Sequence, residues 1–262
     1  MAKIIFFDID NTLWDEQMQI PASTVEAVRK LKANGHLCFI CTGRARGNLV
    51  SKELMSLPFD GIVAACGNHI EYAGKLIYQN LLPQNVLKHA IEVMKKYQMP
   101  MVVEGPVDHW IDEKGFEEDG YVDYLHEVLG EHALPLYGYE PGMLVSKIST
   151  LILPQTNVEA IRRELAGELD ILEHPGKVWE LIPPGTSKAW GIDYLCRYLE
   201  IANEDTYAIG DSANDLEMLE FVKHGICMGN GTEAAKQAAE YVTADIHEDG
   251  LYKAMEHYGL IG

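Results

Sequence analysis

Strand-like and helix-like segments alternate at both ends of this 262-residue chain, and this alternation constrains its fold most strongly. Three apolar runs, "KIIFFDI", "HLCFICT" and "DGIVAAC", are separated by the helix-like segments "STVEAVRKLKANG" and "RGNLVSKELMSL". We expect Ser23 or Thr24 to cap the first of these helices and Gly35 to end it. Strands that alternate with helices form mostly parallel sheets. The pattern therefore predicts an α/β fold with a doubly wound, Rossmann-like core.

The alternation stops in the middle of the chain and resumes near the C-terminus. "HIEYAGKLIYQN" predicts a β-hairpin that turns at Ala73-Gly74. Mixed patterns follow, namely "QNVLKHAIEVMKKYQ", "SKISTLILP", "NVEAIRRELAGEL", "DILEHP" and "KVWELIP". The core pattern returns with "GTSKAWGIDYLCRYLE", "TYAIGD", "ANDLEMLEFV", "HGICMG", "GTEAAKQAAE", "YVTAD" and a last helix from Glu248. We predict a core made of 1–82 and 184–262, with an inserted α+β cap at 83–183.

The composition argues against several classes of partner. The formal net charge of −19 argues against nucleic acids and anionic membranes, which bind clusters of basic residues. No apolar run approaches the ~20 residues of a membrane span, and the N-terminus lacks the pattern of a secretory signal. Cys38 and Cys41 form C-x-x-C within a strand, where their side chains face opposite ways, so we expect buried thiols. We expect a reducing, cytoplasmic location.

Two acids, Asp8 and Asp10, end the first apolar run in "DIDNTLW". Paired carboxylates at the end of a buried strand repel each other and lose hydration. Ligands of open α/β sheets bind at the carboxyl ends of the strands, and Mg²⁺ prefers oxygen ligands of this kind. The D-x-D pattern alone is a weak signal, so its interpretation depends on the other junctions.

A second acidic group follows a later strand. "AIGDSANDLEML" places Asp211 at the end of that strand, and Asn214 and Asp215 in the first turn of the next helix. An ordinary helix cap would explain one of these acids and leave the others unexplained.

Two further junctions offer groups that bind phosphate. "CTGRARG" places Thr42, Gly43 and Arg44 between a strand and a predicted helix, where a hydroxyl and free N–H groups favour an anion. A helix cap by Thr42 is the alternative. "GTSKAWGI" places Lys188 in the first turn of a helix, where the helix dipole disfavours a cation unless an anion is nearby. A solvent-exposed Lys188 is the alternative. The four junctions together indicate a site for a metal ion and a phosphoryl group.

These segments resemble a known family. "DIDNTL", "TGR", the "SK" that contains Lys188, and "GDSANDLEML" are similar to the four motifs of the haloacid dehalogenase (HAD) superfamily of phosphatases. The size and α+β pattern of the insert resemble the large-cap, type IIB, Cof-like subclass. "GNGTEAAKQAAEYVT" and "HEDGLYKAM" also look like this subclass.

The resemblance implies a mechanism and a set of site residues. Asp8 would be the nucleophile that forms an aspartyl phosphate, and Asp10 would be the general acid and then the base. Mg²⁺ would be bound by the Asp8 carboxylate, the Asp10 backbone carbonyl and Asp211. The remaining residues implied by the match are Thr42, Gly43, Lys188 and Asn214 on the phosphate, with Thr12, Arg44 and Asp215 in support. We expect Thr12 to steady the turn by hydrogen bonding and Asp215 to orient its neighbours.

The chain departs from the family pattern at two places. Asn11 stands where the family often has Gly, and we expect a turn to tolerate it. "AACGNHI" stands where the family often has Asn-Gly. In relatives that stretch faces the cap, so Cys66, Asn68 and His69 are candidates for tuning the substrate, with a structural role for His69 as the alternative.

The resemblance implies a Mg²⁺-dependent phosphatase acting on a small phosphorylated metabolite, of which sugar phosphates are the first class to test. The cap would exclude bulky proteins and supply specificity, in a monomer or small homo-oligomer. Asp10 argues for phosphoryl transfer rather than dehalogenation. The alternatives are a phosphomutase and a non-catalytic phospho-ligand sensor. The candidate cap residues are Glu104, His109, Trp110, Trp179 and Glu180, of which the two tryptophans also suit a core.

Overall fold

The computed structural model of this chain describes residues 2–116 and 120–262, which divide into two compact units. The core unit holds the described residues of Met1–Gly43, Ser51–Tyr78 and Ser187–Gly262. The inserted unit holds those of Arg44–Val50 and Gln79–Thr186. Among the described residues, no helix has the length and apolar character needed to cross a membrane.

The elements are numbered in chain order. The strands are β1 (Ile4–Phe7), β2 (Leu37–Cys41), β3 (Gly61–Ala64), β4 (His69–Tyr72), β5 (Lys75–Gln79), β6 (Met101–Glu104), β7 (His109–Ile111), β8 (Ala133–Pro135), β9 (Lys147–Leu151), β10 (Asp170–His174), β11 (Val178–Ile182), β12 (Thr206–Gly210), β13 (His224–Cys227) and β14 (Tyr241–Val242). The α-helices are α1 (Ala22–Ala33), α2 (Lys52–Met55), α3 (Gln84–Lys96), α4 (Gly120–Leu129), α5 (Val158–Glu164), α6 (Lys188–Tyr198), α7 (Leu216–Phe221), α8 (Glu233–Ala238) and α9 (Gly250–His257).

The core sheet has the strand order β14-β13-β12-β1-β2-β3-β4-β5. The strands from β14 to β3 are parallel, and β4 is antiparallel to β3. All four residues of β1 are fully buried, as expected for a central parallel strand. The predicted hairpin is confirmed, and its turn residues Ala73 and Gly74 have φ of 49° and 73°. The predicted fold class of the core is confirmed.

Helix α1 begins two or three residues earlier than the expected caps would require. Pro21 occupies the N-cap position, and it makes no side-chain capping hydrogen bond. Ser23 and Thr24 therefore lie inside the helix, and their predicted capping role is wrong. The helix ends at Ala33, just before Gly35, which has φ of 81°. The glycine thus supplies the left-handed conformation that follows the helix end.

The second predicted helix, over "RGNLVSKELMSL", is wrong for its first half. A 3₁₀ turn at Arg46–Asn48 is followed by the short α2. Gly47 packs so closely that a Cβ atom there would lie 2.6 Å from His109 Cε1. Asn48 donates a buried hydrogen bond of 3.0 Å to Glu104 Oε2. These contacts within the inserted unit compete with helix formation in a segment that contains glycine and asparagine.

The inserted unit is built on a sheet with the order β10-β11-β9-β6-β7-β8, in which only the β7–β8 pair among the described strands is parallel. Apolar side chains on one face, including Val103 and Trp179, pack with α3 and α5. Val102 and Ile111 on the other face pack with α4. Because α4, β7 and β8 are short or weakly patterned, the sequence did not predict them.

The cysteines bear out the expectation of buried thiols. All five are free and buried, including Cys38 and Cys41 on β2. Burial raises the pKa of Cys38 to about 12, so this thiol stays protonated near neutral pH. The C-x-x-C pair therefore has the character of two small apolar core residues.

Candidate active site

Neighbouring strands of the core sheet bring the predicted site residues together. Asp8 directly follows β1, Thr42 follows β2 and Asp211 follows β12. β1 is paired with both β2 and β12, so these three residues lie at one edge of the sheet. The chain runs from β1 to β2 on one side and returns to β12 on the other, which makes this edge a topological switch point.

Lys188 links two of the acids. It is the first residue of α6, and the helix is capped by Ser187 Oγ, which accepts a bond of 3.2 Å from the N–H of Trp190. Lys188 is 2% exposed, and its Nζ lies 2.6 Å from Asp8 Oδ1 and 2.6 Å from Asp215 Oδ1. The alternative of a solvent-exposed Lys188 is therefore wrong. Burial would lower the pKa of Lys188, but Asp215 and Asp8 raise it well above its usual value.

Asp8, Asp211, Asp215 and Lys188 are referred to as the core cluster. Carboxylate oxygens of its three acids lie within 4.8 Å of one another. Burial and then Asp215 raise the pKa of Asp8 well above its usual value, although Lys188 opposes them. The same two causes raise the pKa of Asp211 to about 7. One ammonium group thus does not balance the three buried carboxylates, and an all-oxygen set with excess negative charge suits a divalent cation such as Mg²⁺.

Asp215 has both of its oxygens engaged by protein groups. Oδ2 accepts bonds of 3.0 Å from the backbone N–H groups of Asp211 and Ser212, and Oδ1 accepts from Lys188. Gly210 makes room for this carboxylate, because a Cβ atom there would lie 2.5 Å from Asp215 Cγ. Asp215 therefore holds the loop that carries Asp211, which leaves Asp8 and Asp211 as the acids better placed to bind a metal.

Asp10 is held by a residue that the sequence did not single out. The indole N–H of Trp14 donates a hydrogen bond of 3.0 Å to Asp10 Oδ1, and Trp14 is itself buried. Asp8 and Asp10 therefore have different partners, Lys188 for the first and an indole for the second. The signal in the sequence was a tryptophan four residues after Asp10 in "DIDNTLW".

The turn after Asp10 contains Asn11 and Thr12. Asn11 adopts φ of 55°, the left-handed conformation that asparagine tolerates, and its carbonyl accepts a bond of 2.8 Å from Asn230. Thr12 is fully buried, but its Oγ1 has no hydrogen-bond partner among residues 2–116 and 120–262. Thr12 steadies the turn through its backbone instead, because its N–H donates a bond of 3.2 Å to the carbonyl of Ile9. The expected hydrogen bond from Thr12 is therefore present, but the hydroxyl does not make it.

The other residues predicted to contact or support the phosphate are Thr42, Gly43, Asn214 and Arg44, and they do not all lie in the core cluster. Thr42 is buried, and its N–H donates a bond of 2.8 Å to the carbonyl of Val63. No α-helix begins at Gly43, so the expected helix N-terminus is replaced by an extended loop. Asn214 Oδ1 lies 3.5 Å from Lys188 Nζ, at the margin of the core cluster. Arg44 belongs to the inserted unit, where its guanidinium donates to the Tyr124 hydroxyl at 3.3 Å.

The departure at "CGNH" is buried within the core unit. Cys66, Gly67, Asn68 and His69 are all buried. The Asn68 side chain donates a bond of 2.8 Å to the carbonyl of Ala65, and His69 Nε2 lies 2.8 Å from Glu71 Oε1. Both polar side chains therefore have partners in the core unit, which favours a structural role for His69 over contact with a substrate.

The inserted unit has a polar cluster of its own. Glu104, His109, Lys147 and Glu180 lie on neighbouring strands and are referred to as the cap cluster. Lys147 Nζ lies 2.5 Å from Glu180 and 4.0 Å from Glu104, and His109 Nε2 lies 3.7 Å from Glu104. Burial lowers the pKa of His109, which keeps the ring neutral. One lysine and two glutamates leave this cluster with one net negative charge when all three are ionised, against two for the core cluster.

Several polar atoms around the cap cluster lack partners. Within the described part of the chain, neither ring nitrogen of His109 has a hydrogen-bond partner, nor do Asn48 Oδ1 and Ser146 Oγ. Buried polar atoms are rarely left unsatisfied. Trp179, by contrast, is buried in the apolar core of this unit, and Trp110 packs partly buried against it. Of the five candidate cap residues, Glu104, His109 and Glu180 therefore come together, and the two tryptophans belong to the packing.

Comparison with known proteins identifies the family. The family model of the haloacid dehalogenase-like hydrolases matches residues 5–255. The 5-amino-6-(5-phospho-D-ribitylamino)uracil phosphatase YitU of Bacillus subtilis (strain 168) is 30% identical over 275 residues, which cover 97% of each chain.

Two solved structures are similar over essentially their whole length. The HAD subclass IIB sugar phosphatase BT4131 has a TM-score of 0.83 and 30% identity, and the match covers 99% of this chain and 100% of that one. A structure that shows a trigonal-bipyramidal intermediate in a phosphoryl-transfer superfamily has a TM-score of 0.81 and 29% identity, with full coverage of both chains. With a family model spanning almost the whole sequence and the acids and lysine of its motifs in one cluster, this chain belongs to the haloacid dehalogenase-like hydrolases and is a Cof-like phosphatase.

Proposed function

We propose that this phosphatase is Mg²⁺-dependent and hydrolyses a small phosphorylated metabolite through an aspartyl phosphate on Asp8. The supporting observation is the position of Lys188 Nζ, 2.6 Å from Asp8 Oδ1 in a buried cluster that also holds Asp211. An ammonium group at this distance favours the ionised form of Asp8 and offsets the repulsion between Asp8 and an anionic phosphate.

In the first step, an Asp8 carboxylate oxygen attacks phosphorus and the ester P–O bond breaks. Asp10, held by the Trp14 indole, donates its proton to the departing oxygen, which leaves as an alcohol. Lys188, the Thr42 hydroxyl and the Gly43 N–H hold the transferred phosphoryl group. Catalysis of this transfer depends mainly on positioning and on electrostatic stabilisation, because the charge spreads over the phosphoryl oxygens.

In the second step, water attacks the aspartyl phosphate. Asp10 is now a carboxylate and accepts a proton from that water, while the P–O bond to Asp8 breaks. Inorganic phosphate forms, and Asp8 returns to its starting state. Asn214, at the margin of the core cluster, would contact the phosphate, and Asp215 would keep Lys188 and the Asp211 loop in position.

The donor set fits Mg²⁺. Asp8 and Asp211 would bind it through carboxylate oxygens, with the backbone carbonyl of Asp10 as a third ligand. The bound ion would neutralise charge on the phosphoryl oxygens and on the buried acids. Since the chain carries a net charge of −19, substrate capture would depend on Lys188 and the bound cation rather than on the general surface.

We propose sugar-phosphate-like metabolites as the substrate class and the inserted unit as the source of specificity. The cap cluster offers carboxylates, an ammonium and unpartnered polar atoms, which suit an organic group that carries several hydroxyls. Two of the similar proteins, a sugar phosphatase and a ribitylaminouracil-phosphate phosphatase, act on molecules of this kind. Arg44, in the same unit, is a candidate contact through its guanidinium.

A panel of phosphorylated metabolites tests the proposal by the release of inorganic phosphate. We expect turnover with Mg²⁺, none in EDTA, and a loss of more than about 10⁴-fold in Asp8→Asn, because the nucleophile is gone. Asp193→Asn is the matched control, since Asp193 pairs only with Arg197 on the surface of α6 in the contacts described. Phosphate returned to a second position of the substrate would indicate a phosphomutase, and binding without turnover would indicate a sensor. Equal turnover by Asp8→Asn would contradict the mechanism.

A further inference from the structure

Three consecutive residues after β3 adopt left-handed backbone conformations. Ala65 has φ of 49°, Cys66 of 52° and Gly67 of 89°. L-residues other than glycine avoid this region because the Cβ atom crowds the backbone, so two of these three conformations are strained. Strained backbone persists where the surrounding structure fixes it, and it is common at functional sites. The contacts of this turn therefore indicate what it holds in place.

One end of the turn packs against the first turn of α6. A Cβ atom on Gly67 would lie 2.4 Å from the carbonyl oxygen of Ser187, the N-cap residue. A Cβ atom on Gly191 would lie 2.5 Å from Val63 Cγ1 and 3.0 Å from Gly67 Cα. The two glycines thus permit an approach that any side chain would prevent. Lys188 lies between Ser187 and Gly191, in the helical turn that this contact fixes.

The other end of the turn is bonded to the loop after β2. The N–H of Cys66 donates a bond of 3.2 Å to the carbonyl of Thr42. Asn68 closes the turn internally, because its backbone and side-chain N–H groups both donate to the carbonyl of Ala65. The turn therefore connects the segment that carries Thr42 with the helix that carries Lys188.

We propose that the turn Ala65–Gly67 is a positioning element, and that Gly67 and Gly191 are positioning residues that set Lys188 Nζ against Asp8. A side chain at either position moves the start of α6 by about 1 Å, which is the difference between these contacts and an ordinary van der Waals contact. The 2.6 Å contact from Lys188 to Asp8 lengthens accordingly. The expected loss of activity rests on the proposed function, whereas the expected displacement of Lys188 Nζ does not.

The experiment uses Gly67→Ala and Gly191→Ala, with Gly74→Ala as the control. Gly74 also has a positive φ, 73°, but a Cβ atom there meets nothing within 4 Å, so this variant has backbone strain without displacement. Gly191 lies within α6 without a positive φ, so alanine there favours the helix and only the close contact is disturbed. Crystal structures measure the distance from Lys188 Nζ to Asp8, and steady-state kinetics measure kcat, KM and inhibition by inorganic phosphate.

We expect both test variants to move Nζ beyond hydrogen-bond distance from Asp8, and Gly74→Ala to leave it in place. In the two test variants kcat/KM falls by about 10²-fold and inhibition by phosphate weakens, since a displacement of about 1 Å has effects of this size. An unchanged distance in both variants would overturn the proposal, as would an equal loss of activity in Gly74→Ala. If the wild type releases no phosphate from any substrate, the proposed function fails, and the measured distances still decide the positioning role.

Discussion

The two units each bury a group of charged side chains, but they do so in different ways. In the core cluster the charges lie just beyond the ends of parallel strands or at a helix start, and three acids share one lysine. In the cap cluster the charges lie on the strands of a mostly antiparallel sheet, and two glutamates share one lysine. With all groups ionised, the first arrangement carries two net negative charges, whereas the second carries one.

This difference indicates different roles for the two clusters. Excess buried negative charge is unfavourable unless a cation or a proton compensates it, so the core cluster suits a site that is complete only with a bound metal. A cluster with a smaller charge imbalance and with unpartnered polar atoms suits the recognition of an uncharged polar group. The predictions below test whether the two clusters can be told apart in this way.

The largest expected difference between the two clusters comes from replacing the lysine of each one. Lys188→Met removes the cation beside Asp8, and we expect kcat/KM to fall by about 10³-fold on every substrate. Lys147→Met removes the cation beside Glu180, and we expect KM and the order of preferred substrates to change while kcat stays within about tenfold. Steady-state kinetics on the same substrate panel measure both.

Stability separates the same two variants in a second way. Each substitution leaves buried carboxylates without their partner, so we expect the free energy of unfolding in EDTA to fall by about 3–5 kcal/mol in both. Mg²⁺ should restore part of the loss in Lys188→Met and none in Lys147→Met. Urea unfolding with and without Mg²⁺ measures this. Recovery of both variants by Mg²⁺, or of neither, would contradict the contrast between the clusters.

The second prediction is an opposite pH dependence of stability in the two units. Without metal, the pKa of Asp211 is about 7 in the folded state, against 3.8 for an ordinary aspartate, so the folded state binds more protons. The free energy of unfolding therefore falls as pH rises from about 4 to 7, by up to about 1.4 kcal/mol per unit. For Glu180, burial is outweighed by Lys147 and His174, which lower the pKa from 4.5 to about 2. Its contribution is present above pH 4.5 and is lost as pH falls toward 2.

Amide hydrogen exchange in EDTA, followed on peptides of each unit, measures this difference. Asp211→Asn should reduce the response of the core unit, with Asp8 supplying the remainder, and Glu180→Gln should reduce the acid response of the inserted unit. With Mg²⁺ present the slope of the core unit should disappear, because a bound cation keeps the carboxylates ionised. The same sign of response in both units would contradict the charge assignment.

The core cluster could be predicted from the sequence more easily than the cap cluster. Asp8, Asp211 and Lys188 stand at junctions between strong strand and helix patterns, so the topology of a parallel sheet brings them together. Glu104 and Glu180 are separated by much of the insert, and only the strand order of its sheet makes them neighbours. The fold of the core was therefore predictable, whereas the membership of the cap cluster was not.

The two errors in helix prediction have different causes. The helix predicted after Gly43 was interrupted because Gly47 and Asn48 make contacts in the inserted unit that no local pattern reveals. The caps predicted at Ser23 and Thr24 failed because Pro21 starts the helix first. Periodicity reports which residues favour a helix, and tertiary contacts decide where it begins and ends.

The third prediction concerns the indole that separates the roles of the two acids at the start of the chain. Trp14→Phe keeps the aromatic packing but removes the hydrogen bond to Asp10, and we expect kcat to fall by about tenfold with little change in KM. Trp190→Phe is the control, since the Trp190 indole stacks on Tyr78 and Tyr194. An equal loss of kcat in both variants would show that aromatic packing causes the effect. An unchanged kcat in Trp14→Phe would show that the hydrogen bond from the indole has no role in catalysis.

The smallest expected effect is at Thr12, whose buried hydroxyl has no partner in the described residues. Thr12→Val replaces that hydroxyl with a methyl group of similar size, so the free energy of unfolding should rise by about 1 kcal/mol because no hydrogen bond is lost. Thr206→Val is the matched control, since the buried hydroxyl of Thr206 donates to the carbonyl of Asn203 and accepts from the N–H of Lys223. That variant should lose stability. If urea unfolding shows an equal loss in both, the Thr12 hydroxyl does hold the turn after Asp10, as the sequence first suggested.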